Sequence, residues 1–461
     1  MSATLPWWTR GRSRRGGGTT KNECCHGRDF IDVGLLYKYL IKSTKASKLC
    51  SMDPVNNPYT PNAGATPEIV IGRDELLDDF HVLLRRLDRG RTNQSMIITG
   101  LRGVGKTVLL GEFRQIAEEF KWKVLELEAS KHDDDHFRRT IYTQLRAALY
   151  QISPRTKWGD KARKAAQVLQ SFSLSIDPSS GVPTLSLDVE AAEGFADHGS
   201  LSLDLTDVLV SIGEAARDHG TGLVLLFDEV QFLSQPQLEA VIQAIHKSVQ
   251  RKLPVTFVGA GLPQIAELAG DAKSYAERLF KFPKIGSLDV EDAKKALAEP
   301  AHVEDVVFEE DALLRAFELT EGYPYFVQEL GYQVWAVAEG DAITLEDVED
   351  AKDAYEAKLD SSFFRVRLDR ATQLQIAYMR AMAQLGPESQ KAADVAAVMG
   401  RESTQLAPTR SELINMGLLY TPSHGYAGFT VPHFDRFMLR AVPHLDVPPV
   451  QKRRSKPKKK E

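Results

Sequence analysis

The sequence predicts an α/β fold, in which a parallel sheet is flanked by helices and followed by an all-α segment and a small C-terminal module. Three observations support this fold class. Short apolar runs alternate with helical patterns from residue 69 to about residue 288, which is typical of a parallel sheet. A glycine-rich loop at residues 100–107 joins one apolar run to a helix. A second apolar run, residues 223–227, ends in the carboxylates Asp228 and Glu229.

The glycine-rich loop has the pattern G-x-x-x-x-G-K-T of a phosphate-binding P-loop, between a strand pattern and a helical one. Glycines let the backbone curl so that N–H groups converge on one phosphate, and the helix N-terminus adds the positive end of its dipole. Lys106 is expected to reach the β- and γ-phosphates of ATP, and the Thr107 hydroxyl to hold Mg²⁺. The residues predicted to bind nucleotide here are Gly100, Leu101, Arg102, Gly103, Val104, Gly105, Lys106, Thr107 and Val108. A chance match in a glycine-containing turn is the alternative, which the flanking strand and helix disfavour.

The acidic pair at residues 228–229 is predicted to complete the site. Asp228 is expected to bind Mg²⁺, directly or through water, and Glu229 to orient and polarise the attacking water. The predicted cofactors are therefore ATP and Mg²⁺. The alternative interpretation is a buried strand that ends in a solvated acidic turn.

Composition and charge exclude several classes of protein. The chain has 461 residues, of which 43% are hydrophobic and 26% charged, as in ordinary globular proteins. No run of eighteen apolar residues and no signal sequence occur, so we expect a cytoplasmic protein with no membrane contact. The net charge is −5, and basic excesses at residues 1–51 and 451–461 leave an acidic body, unlike a nucleic-acid-binding core. Cys24, Cys25 and Cys50 lack zinc-site spacing and are interpreted as incidental.

The N-terminal 51 residues differ from the rest of the chain. They are rich in Gly, Ser, Thr, Arg and Lys and are predicted to be a disordered extension. Our hypothesis is that Met52 is the natural start, in which case residues 1–51 are not native.

The elements of the α/β region follow in order. Strands are predicted at residues 96–98, 123–128, 223–227, 254–261 and 282–288. One amphipathic helix is predicted to end near residue 87. Further helices are predicted to span about residues 108–117, 133–152, 161–169, 200–217 and 235–249. Alternation around Asp177-Pro-Ser-Ser-Gly181 predicts a hairpin insertion near residues 171–188. From residue 290 to about residue 359 the pattern is helical only.

Residues 371–440 predict a winged helix. Three helices, at residues 372–385, 391–399 and 404–416, precede a hairpin built from residues 418–420 and 429–431. In DNA readers of this kind the third helix enters the major groove. That helix offers Thr404, Gln405, Thr409, Arg410 and Ser411. Since residues 370–440 hold seven basic and five acidic residues, a protein-contact or packing module is an equal alternative to DNA binding.

Together these pieces resemble AAA+ P-loop ATPases of the origin-recognition-like and STAND type. Residues 52–440 are most similar to a largely uncharacterised prokaryotic family of AAA+ ATP-binding proteins with a C-terminal winged helix. The matching pieces are Asn57-Pro-Tyr-Thr-Pro, Ile71-Gly-Arg-Asp-Glu, residues 100–107, Phe227-Asp-Glu-Val-Gln, Val258-Gly-Ala-Gly-Leu-Pro, Ala272-Lys-Ser-Tyr-Ala-Glu-Arg-Leu-Phe, Gly322-Tyr-Pro-Tyr-Phe and Phe363-Phe-Arg-Val-Arg. The implied domains are an AAA+ α/β nucleotide-binding domain at 52–288, a helical lid at 289–365, a winged helix at 366–445 and a basic tail at 446–461.

The resemblance also implies roles for residues outside the P-loop. Ile71, Gly72 and Arg73 are expected to lie against the adenine, and Pro324 of the lid near the base. Helix punctuation is the alternative for Gly322 and Pro324. Arg278 matches an arginine finger, which would act on a neighbouring subunit of a nucleotide-dependent homo-oligomer. A surface arginine paired with Glu277 or another acid is as well supported for Arg278.

Two departures from the family pattern bear on the rate of hydrolysis. The strand ending at residues 259–261 lacks the usual polar sensor residue unless Thr256 serves, and residues 322–329 contain no arginine for the second sensor. Missing contacts to the γ-phosphate remove transition-state stabilisation. The sequence therefore favours an ATP hydrolase that works as a slow, nucleotide-dependent switch. The alternatives are an ATP-licensed DNA-binding regulator or replication-initiator-like protein, and a nucleotide-bound protein-interaction scaffold.

Overall fold

A computed structural model describes residues 52–62, 64–130, 134–174, 187 and 189–449. The predicted N-terminal extension with its three cysteines, the turn of the predicted hairpin and the basic tail from residue 450 onward lie outside the described residues. Within the described ranges, no helix is long and apolar enough to cross a membrane.

The centre of the chain is a five-stranded parallel sheet. Its strands are β1 (Ser95–Thr99), β2 (Lys123–Glu128), β3 (Leu223–Asp228), β4 (Val255–Gly261) and β5 (Phe280–Lys281). Their spatial order is β2-β3-β4-β1-β5, and every neighbouring pair is parallel. The predicted sheet flanked by helices is thus confirmed, with its fifth strand slightly earlier in the chain than expected. Of the predicted residues 282–288, Lys284 forms only an isolated bridge with Thr99.

The register of the sheet brings the ends of three strands to one edge. Thr99 of β1 pairs with Gly261 of β4, and Phe227 of β3 pairs with Gly259 of β4. Parallel strands end at the same edge, so the loop after β1 and the carboxylates after residue 227 emerge on the same side of the sheet. This register explains how segments more than 120 residues apart in sequence reach one site.

Helices cover both faces of this sheet. They are α1 (Asp74–Asp88), α2 (Lys106–Glu119), α3 (Asp134–Ile152), α4 (Asp160–Leu174), α5 (Leu201–Asp218), α6 (Gln235–Gln250), α7 (Ile265–Ala272) and α8 (Ala276–Leu279). Alternate residues of a strand join different cores: Met96 and Ile98 pack with α1 and α2, whereas Ile97 packs with α3 to α6. Burial on both faces explains why the strands are continuous apolar runs.

Residues 172–174 correct part of the hairpin prediction. The alternation that begins at Phe172 predicts a strand, but these residues form the last turn of α4. Phe172 is fully buried against the helices of that face. The apolar side of a helix and one face of a strand both accept this residue, and tertiary packing selects the helix.

The segment after the sheet contains α9 (Val290–Val303), α10 (Glu310–Thr320), α11 (Pro324–Val337) and α12 (Leu345–Lys358). The sequence pattern predicts only helices in this segment, but the segment also contains two short strands. β6 (Val307–Phe308) pairs in parallel with β7 (Ala342–Ile343). Two-residue strands leave no periodic signal in a sequence. Tyr59, which lies between residue 52 and α1, is buried against these helices, and its hydroxyl donates to the Leu297 carbonyl at 2.5 Å.

Gly322 fixes this helical segment to the sheet domain, and its substitution provides a stability test. Its carbonyl accepts the N–H of Leu288 at 2.8 Å, its φ is 66°, and a Cβ would overlap the Leu288 carbonyl oxygen. Gly322→Ala is therefore expected to lower the free energy of unfolding by about 2–4 kcal/mol, measured by urea denaturation. Gly340→Ala is the matched control, because φ is 85° there but no atom lies within 4 Å of the added Cβ. It should cost only about 1 kcal/mol, and equal losses for the two variants would contradict this account.

The C-terminal module begins after a π-helical turn, Leu359–Phe364, and a short helix, α13 (Arg365–Leu368). It contains α14 (Gln373–Leu385), β8 (Gln390–Lys391), α15 (Ala392–Val398), α16 (Ser403–Asn415), β9 (Leu419–Tyr420), β10 (Tyr426–Phe429) and α17 (Phe434–Ala441). The three strands form an antiparallel sheet in the order β8-β10-β9. The three helices and the hairpin lie within a few residues of the positions that the sequence predicts.

Candidate functional site

The loop between β1 and α2 has the backbone that its glycines permit. Gly103 and Gly105 adopt φ values of 84° and 90°, and Gly105 is the N-terminal cap of α2. A Cβ at Gly103 would lie 3.2 Å from both Tyr323 and Tyr325. At Gly100 a Cβ would lie 2.6 Å from the Ile285 carbonyl oxygen. Glycine is thus required here both for conformation and for the close approach of other segments.

Lys106, the first residue of α2, is buried at 6% exposure. Its ammonium group donates to the carbonyls of Gly100 at 3.0 Å and Leu101 at 2.7 Å, so it lies across the loop that precedes it. Burial lowers the pKa of Lys106, and the charges of Glu229 and Asp228 oppose that shift. A cation held by two neutral carbonyls next to open space is positioned to neutralise an anion that enters the loop.

Thr107 and Asp228 meet across the sheet edge. The Thr107 hydroxyl donates to one oxygen of the Asp228 carboxylate at 2.6 Å, and the other oxygen accepts the Glu229 N–H at 2.7 Å. Hydroxyl and carboxylate oxygens are the ligands that Mg²⁺ prefers, so the pair fits the predicted metal. Two protein ligands also fit Mg²⁺, which usually takes its remaining ligands from water and phosphate.

Glu229 occupies a strained position at the end of β3. Its φ and ψ are 52° and 37°, the left-handed region, before the 3₁₀ turn Val230–Phe232. Its carboxylate accepts a hydrogen bond from the Gln231 side-chain N–H, and the Gln231 side-chain oxygen accepts the Leu262 backbone N–H at 3.0 Å. Gln231 therefore connects the end of β4 to Glu229. The sequence gives it no role, because an amide two residues after an acid has no distinctive spacing.

A cavity of about 490 Å³ contains most of the predicted residues. Its lining includes these predicted residues: Ile71, Arg73, Arg102, Gly103, Val104, Gly105, Lys106, Thr107, Val108, Asp228, Glu229 and Pro324. Apolar residues from other segments also line it: Pro61, Ile69, Val70, Leu288, Ala296 and Val327. Gly100, Leu101, Gly72 and Arg278 do not line it. The cavity is thus lined by both apolar and polar residues, the combination that a nucleotide needs.

Arg73 lines this cavity and links the segments around it through its hydrogen bonds. Its guanidinium donates to the carbonyls of Gly72 at 2.9 Å, Val104 at 3.3 Å and Gly286 at 2.9 Å. Burial lowers the pKa of Arg73, while Asp292 opposes the shift. These bonds tie the segment before α1 to the glycine-rich loop. Arg73 therefore has a structural function in this geometry, in addition to lining the cavity.

Three other predicted residues lie away from the cavity or are differently used. Arg278 lies in the short helix α8, where its carbonyl accepts the Gln94 side-chain amide at 3.0 Å. Thr256 is wrong as a sensor candidate, because it is buried near the start of β4 and shares a hydrogen bond of 3.0 Å with the Ser95 hydroxyl. That end of the strand is at the sheet edge opposite the loop. Gly72 adopts φ of 70°, and a Cβ there would lie 2.5 Å from an Asp292 oxygen.

Tyr325, Phe363 and Arg367 are among the lining residues without a predicted role. The Tyr325 and Phe363 rings stack at 4.4 Å between centroids. Burial raises the pKa of Tyr325 to about 12, so its hydroxyl remains neutral. They come from α11, the π-helical turn and α13, which approach the loop only through tertiary packing.

Comparisons with known proteins agree with this architecture. Residues 69–258 match the family model of the AAA ATPase domain, and residues 361–438 match that of a domain of unknown function, DUF8462. No curated protein shows significant sequence similarity to the chain. A Walker-type ATPase of Pyrococcus abyssi is similar in structure, with a TM-score of 0.50 and 16% identity over 81% of this chain and 97% of that one.

Two further solved structures have lower scores. The Orc1 protein of Aeropyrum pernix, in complex with DNA, has a TM-score of 0.41 and 15% identity over 82% of this chain and 94% of its own. The RuvB Holliday junction branch migration motor of Thermotoga maritima has a TM-score of 0.40 and 16% identity over 82% and 96%. The match to the AAA ATPase domain at residues 69–258 covers β1, β2, β3 and the first half of β4 in the parallel sheet flanked by helices.

Proposed function

We propose that the protein is an AAA+/STAND-like ATPase that acts as a slow, nucleotide-dependent switch. One observation carries this proposal: the glycine-rich loop is in contact with both of the segments that follow the sheet domain. The Tyr323 hydroxyl donates to the Arg102 carbonyl, and the Tyr325 N–H donates to the Gly103 carbonyl at 3.1 Å. From the C-terminal module, the Thr430 carbonyl accepts the Arg102 N–H at 3.1 Å. A change in this loop on nucleotide binding would reach both segments directly.

In this proposal the cavity residues divide the work of binding and hydrolysis. The backbone of residues 100–108 and the Lys106 ammonium bind the phosphates of ATP, and Ile71 and Pro324 lie near the base. Thr107 and Asp228 would hold Mg²⁺, which neutralises phosphate charge when bound. Glu229 accepts a proton from the attacking water and orients it.

Slow turnover is supported by what surrounds Glu229 and the phosphate end of the cavity. One carboxylate oxygen of Glu229 is already bonded to Gln231, which leaves the other oxygen for the attacking water. Thr256, the sensor candidate, is buried at the far edge of the sheet. The missing sensor contact removes transition-state stabilisation, and the shared carboxylate leaves Glu229 fewer acceptor sites for the attacking water.

The domain proposal assigns residues 52–288 to the nucleotide-binding domain, 289–365 to a lid and 366–445 to a winged helix. Contacts on α16 favour a protein partner over DNA for this last module. Thr409 is buried, and the Arg410 guanidinium donates to the Tyr426 carbonyl at 2.7 Å, so neither is presented for base contacts. Thr404, Gln405 and Ser411 remain exposed.

Arg278 lies outside the cavity of its own chain, and a role in hydrolysis would require a second copy.

Turnover of the full chain tests this function. We expect phosphate release from ATP at less than about 1 s⁻¹, the lower end of enzyme rates, and no change when duplex DNA is added. The control is Lys106→Ala, which should remove the activity and so exclude a contaminating ATPase. Turnover that DNA stimulates severalfold would contradict the switch and support an ATP-licensed DNA-binding regulator.

A further inference from the structure

Gln231 does not line the cavity, but it contacts the residue that is proposed as the general base. Its side-chain N–H donates to one carboxylate oxygen of Glu229. Its side-chain oxygen accepts the backbone N–H of Leu262, the buried residue that directly follows β4. The Glu229 carboxylate is therefore joined to the end of β4 through a single side chain.

Only a carboxamide can satisfy both partners of Gln231. The carboxylate of Glu229 needs a donor, the N–H of Leu262 needs an acceptor, and an amide carries one of each on the same planar group. The two partners also fix which way the amide faces, because the reversed orientation would place oxygen against oxygen and N–H against N–H. An ionised glutamate at residue 231 would offer Glu229 no donor. The amide is thus held in one orientation by two partners of opposite demand.

The last residue of β4 leaves room for this side chain. A Cβ at Gly261 would lie 2.8 Å from the side-chain oxygen of Gln231 and 2.9 Å from Val230. Both separations are well below the optimal distance between non-bonded atoms, about 3.5–4.0 Å between carbons. Residues 259–261 carry no polar side chain of their own. Gln231 therefore brings a polar group to the end of β4 from the turn that follows β3.

A continuous chain of hydrogen bonds runs from Gln231 to the residues proposed to hold Mg²⁺. The Glu229 N–H donates to one oxygen of Asp228 at 2.7 Å, and the Thr107 hydroxyl donates to the other at 2.6 Å. Glu229 has a left-handed backbone, with φ of 52°, which persists only where neighbouring groups support it. Asp228 fixes the backbone of Glu229 and Gln231 fixes its side chain.

We infer that Gln231 is a positioning residue for hydrolysis, which holds the Glu229 carboxylate so that its second oxygen faces the attacking water. This inference rests on the proposed function, because it takes Glu229 as the general base. The bond to Gln231 occupies one acceptor oxygen, but a base needs only one oxygen to accept a proton. Misplacing a catalytic group by about 1 Å can cost about 100-fold in rate, so position outweighs the lost acceptor. Gln231 acts on the base and not on the γ-phosphate, so turnover remains slow.

Single-turnover hydrolysis of radiolabelled ATP by the full chain tests the inference. Gln231→Met keeps the approximate size of the side chain but removes the amide. Its hydrolysis rate is expected to fall by about 10- to 100-fold, because the carboxylate is no longer fixed. Its ATP affinity by calorimetry should stay within about threefold of wild type, because the residues that line the cavity are unchanged.

Gln235→Met is the matched control. It also removes a hydrogen bond from an amide to a carboxylate, the one between Gln235 and Glu239 at 3.0 Å. Gln235 is exposed at the start of α6 and does not line the cavity, so this variant should hydrolyse ATP at the wild-type rate. Gln231→Asn keeps the amide but is one methylene shorter and cannot reach both partners. It should behave as Gln231→Met does, and it serves if that variant does not fold.

A double-mutant cycle separates positioning from a purely structural effect. If Gln231 acts through Glu229, then Gln231→Met should change the rate by less than about threefold in a Glu229→Gln background, because the base that it positions is already absent. A structural role would lower the rate by the same factor in both backgrounds.

Unchanged or faster hydrolysis by Gln231→Met, equal factors in the two backgrounds, or a parallel loss of ATP affinity would each overturn the inference. Failure of the proposed function gives a different result. Wild type would then show no phosphate release that Lys106→Ala removes, and the inference would fail together with the proposed function.

Discussion

Replacing Lys106 with alanine is expected to weaken ATP binding by at least about 100-fold, because two charge-assisted contacts to phosphate are lost. Lys106 lines the cavity, and its ammonium group is buried and held by the carbonyls of Gly100 and Leu101. Bound phosphate would exchange neutral acceptors for charged ones, so most of the interaction exists only in the complex. Isothermal calorimetry of the full chain with ATP and Mg²⁺ measures the loss directly.

The folded state should tolerate this change, which separates a binding defect from unfolding. The ammonium contributes little net stability, because its burial lowers its own pKa and offsets its hydrogen bonds. Melting temperatures of the variant and wild type without nucleotide should therefore agree within a few degrees. Lys281→Ala is the control: Lys281 is on β5, next to β1, but pairs with Asp79 at 2.9 Å outside the cavity. An ATP affinity of Lys106→Ala within threefold of wild type would remove the predicted site.

Local chemistry made the loop and its two flanking elements predictable from the sequence. The loop after β1 requires glycines with positive φ at residues 103 and 105, and α2 begins at Lys106 within the same motif, so the pattern consists of consecutive residues. Asp228 was predictable because an apolar strand has a recognisable end. The sequence assigned Thr107 and Asp228 each to Mg²⁺, and the rule that parallel strands end at one edge explains why the two side chains meet.

The other half of the cavity could not be predicted in the same way. Tyr325, Phe363 and Arg367 lie in segments that carry the family resemblance, but their spacing assigns them no role, and only the packing of distant segments brings them to the loop. The contact of Arg102 with the C-terminal module spans more than 300 residues and is made by backbone atoms, which carry no sequence signal. The prediction of a strand at residue 172 was wrong for a related reason, since burial on a helix face overrode local alternation.

The glycine-rich loop is contacted by both the helical segment and the C-terminal module, and the second of these contacts would compete with nucleotide in the proposed switch. The helical segment reaches the carbonyls of Arg102 and Gly103, whereas the C-terminal module reaches the N–H of Arg102. N–H groups of such a loop bind phosphate in the proposed complex. An N–H held by Thr430 is unavailable to a phosphate, so the C-terminal module and the nucleotide would compete for this part of the loop.

Glu229→Gln should separate binding of ATP from its hydrolysis. The substitution keeps the size of the side chain and one acceptor oxygen but removes the negative charge that draws a proton from water. Turnover is expected to fall by about 10²- to 10⁴-fold, the contribution of a positioned general base. ATP affinity should stay within about threefold of wild type, because Lys106, Thr107 and Asp228 are unchanged. Phosphate release and calorimetry on the same preparation measure the two effects.

The contacts of Glu229 make this a demanding test of its assignment. Since Gln231 donates to its carboxylate, a purely structural Glu229 would have this charge-assisted hydrogen bond weakened to a neutral one on substitution, which would destabilise the turn at residues 230–232. Its variant would then show a lower melting temperature and weaker ATP binding together. A catalytic Glu229 loses turnover alone. Glu277→Gln, an exposed acid outside the cavity, should leave turnover unchanged. Wild-type turnover of Glu229→Gln would transfer the role of base to another group, and Asp228 is the remaining carboxylate among the described lining residues.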